Sequence, residues 1–462
     1  MNTNYFYIEK MYNLIRINII SLLKYTFLSP VIIFIAAWPC TEYFPGIIAH
    51  FIIALSASIF FSTSTYFFLS QNTNLYGEIL LNTFQDLTKK GKKYAFIFIS
   101  LITIFNGPRH DYKSYVKQWF TIINGNDPWI GTDNAYGPIH NLFSIFATLN
   151  PILPKFIFVS IFFYSFYKLT FSKYKLIGGN NDISNKIIFL IMSMSPLIII
   201  IVPLYSLNDA LVCGLMTYAL FINYSLNGSK KSDLITGIIF AFAGMVKIYP
   251  FIVALPFLIR GFKIKFHFLI SLSLTTFAIT CASYILWGNS IFKPLLFASG
   301  RESAHFSIFN FLQSSFDLDL DKYSSLLVVI SIFISFFIIQ LLKIDLLPST
   351  IIIFLPVVTF YKVAHIQFFL FFIPITPILV RYFKEYCITK YKMLIFSYVL
   401  WLSFLNFYVS FQHLTCGMYF GTAAEFRDHV APLIFYPITF NLIFQFFKVI
   451  SKNPNAFSTQ KI

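Results

Sequence analysis

Apolar residues run along this chain in long blocks, with short polar stretches between them, and neither strict alternation nor half-apolar helical stripes dominate. A bilayer core takes about 20 apolar residues per helix, fewer where helices are broken or re-entrant. On that measure the spans are Leu14–Ala37, Ile47–Leu69, Tyr94–Phe105, Pro154–Phe171, Ile187–Leu204, Ala210–Leu226 and Leu234–Val246. They continue with Pro250–Ile259, Phe266–Leu286, Ser325–Leu342, Pro348–Phe360, Gln367–Val380, Leu394–Phe411 and Ala431–Phe447. The short ones beside Lys247 and Lys362 read as paired half-spans, so about 11–14 crossings are expected. The predicted fold class is all-α, a polytopic transmembrane helical protein.

Composition agrees with the pattern. Of 462 residues, 57% are hydrophobic and only 11% charged, against about 25% charged in a soluble domain. A large soluble catalytic domain is excluded. Lysine and arginine outnumber acids by 34 to 18, and their placement explains the excess. Lys89–Lys93, Lys173–Lys186, Lys230–Lys231, Arg260–Lys265, Arg381–Lys392 and Lys448–Lys461 alternate with the spans, as cytoplasmic loops do under the positive-inside rule. Both termini are then expected in the cytoplasm. The aromatic residues lie inside apolar blocks and not among arginines, so no nucleic-acid partner is expected. Cys40, Cys213, Cys281, Cys387 and Cys416 show no metal-ligand spacing. Leu14–Trp38 is too long for the apolar core of a secretion signal.

Three outer segments follow from this sidedness: 106–153, 288–324 and the shorter 412–430. The chain divides into 1–93, with two spans and a basic loop; 94–411, a membrane core carrying the two long outer loops; and 412–462, a last loop, span and tail.

The outer loops hold the candidate chemistry. Asp111 follows the end of a span by a few residues, and apolar residues recur at helical spacing from there to Ile123, predicting a short helix in the interface. Its carboxylate suits a general base towards a hydroxyl, or a ligand for a divalent cation; a helix cap is the plain alternative. Lys247, in Val246-Lys-Ile-Tyr-Pro, sits between apolar runs, where an ammonium costs about 2.5–3.5 kcal/mol unless it finds a partner, water or the interface. Lys362 repeats that situation beside His365 and Gln367. Arg301 and His305 can contact a phosphate, although Arg301 and Glu302 also make an ordinary surface pair. Asn208-Asp209 opens a span as a helix cap would, and His50, His140 and Lys24 receive no role. No GxGxxG, Walker A, HExxH or GxSxG motif occurs.

Together these stretches resemble the GT-C superfamily of membrane glycosyltransferases, in particular the glycosylphosphatidylinositol mannosyltransferase 1 family and bacterial polyprenol-phosphate-mannose-dependent mannosyltransferases. Asp111-Tyr112, Gly125-Asn-Asp-Pro-Trp and Tyr136-Gly-Pro resemble that family's first outer loop. Val246-Lys-Ile-Tyr-Pro, Arg301 through Ser307, and Lys362-Val-Ala-His-Ile-Gln-Phe-Phe resemble three later motifs in the same order. The family's paired acids stand here as Arg109-His110-Asp111, with only the second acid present, and Gly137 replaces the usual residue of the Tyr-x-Pro turn.

The resemblance implies a GT-C fold with interfacial helices in the outer loops, acting on a polyprenyl-phosphate sugar and a glycan or lipid-linked acceptor. Asp111 would be the base. Lys247, Arg301, His305 and Lys362 would hold the donor phosphate, and Arg109, His110, Tyr112, Tyr136, Tyr249, Asp209 and Gln367 would contact substrate. Magnesium or manganese enters as an open option, and a partner subunit is left open. The inner membrane of a bacterium is the expected site, with catalysis on its outer face. A polysaccharide polymerase and a transporter or lipid flippase are the competing classes.

Overall fold

The computed structural model describes residues 47–70, 93–107, 111–130, 136–171, 182–300, 303, 307–363, 365–377, 392–415 and 421–452. The expected span Leu14–Ala37 lies outside the described residues, as do Arg109, His110, Arg301 and His305. The rest is an all-α membrane fold. Its long helices are α1 (Ile47–Ser70), α2 (Lys93–Phe105), α3 (Asp111–Ile123), α4 (Leu153–Thr170) and α5 (Asp182–Ser193). Next come α6, helical from Pro196 to Leu204, α7 (Asn208–Ser225), α8 (Lys230–Gly244) and α9 (Phe266–Trp287). The remainder are α10 (Ile308–Phe316), α11 (Asp321–Leu341), α12 (Leu346–Phe360), α13 (Lys392–Leu414) and α14 (Ala431–Lys452).

Among the described residues, four helices are long and apolar enough to cross a bilayer, and a fifth is reached by counting α6 and α7 as one bent span. Burial separates their roles. Only 11% of an 18-residue apolar stretch within Phe266–Phe297 is buried within the protein, against 83% of the corresponding stretch within Met393–Leu414. The first presents Leu274, Phe277, Ile285 and Leu286 outward, an apolar surface that only lipid can cover. The second lies in the core, packed on α1, α6 and α14.

A second row of helices runs α4, α7, α8, α9. Its close crossings rest on glycine, as in other membrane bundles. A Cβ on Gly214 would stand 3.0 Å from the Phe162 backbone, and one on Gly237 2.7 Å from the Phe268 carbonyl. Serines add hydrogen bonds where α1 meets α13: Ser58 donates to the Ser403 carbonyl, and the Ser62 and Ser403 hydroxyls pair. This packing joins α1 to the core helices.

Two expected spans differ. Ile187–Leu204 is not one helix but the end of α5 followed by α6, because Ser195 caps a new start at Pro196. Beyond Pro203 and the left-handed Ser206 the chain turns by 112° into α7. Pro250–Ile259 is not a continuous half-span either: it forms single turns at Pro250–Val253 and Leu255–Leu258, then strand β1 (Ile259–Arg260). Pro250 and Pro256 each lack the N–H that a continuing helix needs. Strand β1 pairs antiparallel with β2 (Lys263–Ile264).

Candidate active site

The expected interfacial helix is α3, and Asp111 is its first residue. Tyr112, Tyr115, Gln118 and Trp119 form its buried face, while Lys113 and Lys117 are exposed. Asp111 itself is half-buried, and a carboxylate in the first turn is favoured by the positive end of the helix dipole. The buried face is tethered by hydrogen bonds. Trp119 Nε1 donates to the His140 carbonyl at 3.0 Å. The Tyr112 hydroxyl donates to Pro151 O at 2.7 Å and accepts from Lys155 N at 3.1 Å. Tyr112, expected at the substrate, is thus a buried strut engaged by backbone on both sides.

Lys247 is placed by a break in the helix. Pro250 cannot donate to Val246 O, so the helical ladder ends and the carbonyls of Met245 and Val246 are left without helical partners. The Tyr136-Gly-Pro turn supplies new ones: Ile139 N donates to Met245 O at 3.2 Å and Gly137 N to Val246 O at 3.1 Å. So close an approach requires glycine, because a Cβ at position 137 would collide with the Met245 carbonyl. Glycine at this position therefore has a local cause. The same docking sets Tyr136 beside Lys247, whose Nζ lies 5.8 Å from that ring and 5.5 Å from the ring of Phe368, the range of cation–π attraction.

The closest partner of Lys247 is Asp209, at 2.7 Å. The Asp209 side chain has no exposed surface, whereas that of Lys247 retains 15%. Tyr249 donates to the second oxygen of Asp209 at 3.4 Å. Asp209 follows Asn208 at the start of α7, and Asn208 is held by Tyr115 twice: its N–H donates to the Tyr115 hydroxyl at 3.2 Å, and that hydroxyl donates to its Oδ1 at 3.1 Å. Burial holds the Tyr115 hydroxyl well above the usual phenol range, and Tyr136, Asp111 and Asp209 raise it further. The Tyr115 ring meets Tyr136 at 4.8 Å, and Asp111 stands one turn before Tyr115 on the same helix. Asp209, Lys247, Tyr136 and Tyr249 share one neighbourhood, and Tyr115 joins it to the helix that begins at Asp111.

Lys362 is placed differently. Its ammonium lies 3.9 Å from Asp321 and its N–H donates to Ser324 Oγ at 2.9 Å, so it is tied to the start of α11. The segment still reaches the cluster through Phe368, which meets both Tyr249 and Tyr361. Gln367 is half-buried beside it.

Sequence reasoning overlooked His140 and the partnership of Asp209. His140 is fully buried, stacked on Trp119 at 5.2 Å, with Nδ1 3.4 Å from the Asn208 amide nitrogen. Burial, and then the charge of Lys247, push its imidazole down to about 3, so it is neutral. A lone histidine in an apolar loop carries no signal of this. Asp209 did carry one, because a buried acid opening a membrane helix calls for a cation.

Among the described residues, no three His, Cys, Asp or Glu side chains converge, and Asp209 is already neutralised by Lys247. No family model matches the chain, and no curated protein is significantly similar to it.

Proposed function

We propose that this integral membrane protein is a glycosyltransferase that moves a hexose, with mannose the first candidate, from a polyprenyl-phosphate sugar to a glycan or lipid-linked acceptor. The observation that supports it is that one aromatic cluster, Tyr115 with Tyr136, joins the helix that begins at the half-buried carboxylate Asp111 to the largely buried ammonium of Lys247. In this reading Asp111 takes the proton from the acceptor hydroxyl as that oxygen attacks the anomeric carbon. The bond to the phosphate oxygen breaks with inversion, and the leaving phosphate keeps the electron pair. Lys247 has three N–H donors, of which Asp209 takes one, and the others face the developing negative charge. Arg301 and His305 are the further phosphate contacts that the sequence proposes for this reading. The reading places the site on the outer face of a bacterial inner membrane.

The test is transfer from a radiolabelled polyprenyl-phosphate hexose by the purified protein in nanodiscs. Asp111→Asn should abolish transfer and leave the thermal unfolding profile unchanged; full activity would remove Asp111 from the base role. A second reading, a transporter, draws on the bend between α6 and α7 and the buried Lys247–Asp209 pair, since broken helices with paired charges also line transport sites. Substrate movement into sealed vesicles without a new glycosidic bond would favour it, and a polymerase would extend an oligosaccharide-loaded lipid.

A further inference from the structure

The β1–β2 hairpin is built against local preference in two ways. Its turn, Gly261-Phe262, has φ of +57° and +60°, the geometry of a tight hairpin turn that favours glycine or asparagine. Phenylalanine in the left-handed region is costly. Across the hairpin, Arg260 stands directly opposite Lys263, a like-charge pairing that destabilises a ladder. A third feature adjoins these two. Lys343 closes helix α11 with φ of +49°, a position that usually holds glycine.

Arg260, Gly261 and Lys343 line one cavity of about 130 Å³ together with Gln340, Ser349 and five apolar residues, and Phe262 and Lys263 follow in the same hairpin. A single water needs only about 10–15 Å³ on this kind of measure. Arg260 gives one N–H to Asp345 at 2.8 Å, and Lys343 and Lys263 are exposed, so the rim is net positive. Phe262 is 56% exposed, and its ring meets Phe337 at 6.5 Å. Phe337 and Phe333 are both exposed on α11, a helix long and apolar enough to cross a bilayer.

By the positive-inside rule the basic loop Arg260–Lys265 belongs to the face opposite the loop that holds Asp111. Helix α9 leaves β2 at Phe266 and runs for 22 residues to Trp287, a length of about 33 Å. There Trp287 meets Trp129 of the first outer loop at 5.5 Å.

We infer that this cavity binds the phosphate of an anionic phospholipid head group in the leaflet opposite the candidate active site. The phosphate lies among Arg260, Lys263 and Lys343, and an acyl chain lies along Phe262 and Phe337. The bound anion offsets the Arg260–Lys263 repulsion, and the acyl chain gives Phe262 its apolar contact. Basic pockets at helix ends on the lysine-rich side of a membrane take such lipids.

Purified protein is reconstituted in nanodiscs made from equal parts phosphatidylglycerol and phosphatidylcholine, and the lipids retained after ejection are counted by native mass spectrometry. The wild type should retain phosphatidylglycerol selectively. Lys343→Gly with Lys263→Gln should lower that selectivity by at least about fivefold for each charge removed. The Tm of this variant in neutral detergent should not fall, because glycine suits the left-handed position better than lysine. Equal retention of the two lipids by the wild type, or undiminished selectivity in the variant, would overturn the inference. So would a Tm rise with inorganic phosphate matching that with phosphatidylglycerol, which would mark a soluble-anion site.

Discussion

Removing one partner of the Lys247–Asp209 pair should be far costlier than removing both, and the cost should depend on which partner goes. The two charges are 2.7 Å apart, with Asp209 fully buried and Lys247 retaining 15% of its side-chain surface. Lys247→Ala leaves a carboxylate that water cannot reach, and breaking a buried pair in this way typically costs about 3–5 kcal/mol. Asp209→Asn leaves an ammonium that keeps some exposure and two aromatic faces, so its cost should be smaller, about 1–3 kcal/mol. Lys247→Met with Asp209→Leu removes both charges and replaces them by apolar groups, and should return to within about 1–2 kcal/mol of the wild type. Reversible unfolding in mixed detergent micelles, run as a double-mutant cycle, measures all three. A coupling energy above about 2 kcal/mol, with Lys247→Ala the worse single variant, is the expected result. Additive costs, or a Lys247→Ala variant as stable as the wild type, would show that the pair is hydrated and that the burial argument fails. The same double variant also separates structure from chemistry: folded but unable to transfer sugar supports a donor role for Lys247, whereas folded and active makes the pair a strut.

Gly137→Ala should cost about 1–3 kcal/mol by overpacking against the Met245 carbonyl and should also lower sugar transfer by displacing Tyr136 and Lys247; unchanged Tm and activity would refute the close approach. His140 has its folded imidazole near 3 and an unfolded value near 6.5, so the unfolded chain binds the extra proton between those values. Stability is therefore intact above pH 6.5 and is lost as pH falls towards 3, and His140→Phe should flatten that dependence in a pH series of Tm values. Gly237→Leu should separate α8 from α9, seen as a lower Tm and a new protease cut between them, while Gly125→Ala, with open space around its Cβ but φ of +76°, should cost only about 1 kcal/mol.

Much of this protein was legible in its residues. Long apolar blocks leave a chain no way to satisfy its backbone in lipid except by helices, so the all-α membrane class followed directly. The helix at Asp111–Ile123 was legible for a related reason: Tyr112, Tyr115 and Trp119 recur at helical spacing, with lysines on the other face. The break at Lys247 could be read from Pro250. Proline also marks where the expected spans failed, since Pro196, Pro203 and Pro256 sit inside apolar blocks whose hydropathy hides them.

Tertiary structure alone decided who partners whom. Asp209 and Lys247 are 38 residues apart, and nothing local distinguishes that pair from Lys362 with Asp321. Gly137 looked like a departure from a motif until the Met245 carbonyl was found against it, and the hairpin at Gly261-Phe262 was hidden within a basic loop. Periodicity reports which solvent a segment faces, because that depends on its own side chains. Charge pairing and close backbone approach depend on groups that the fold brings in from elsewhere, so they cannot be read along the chain.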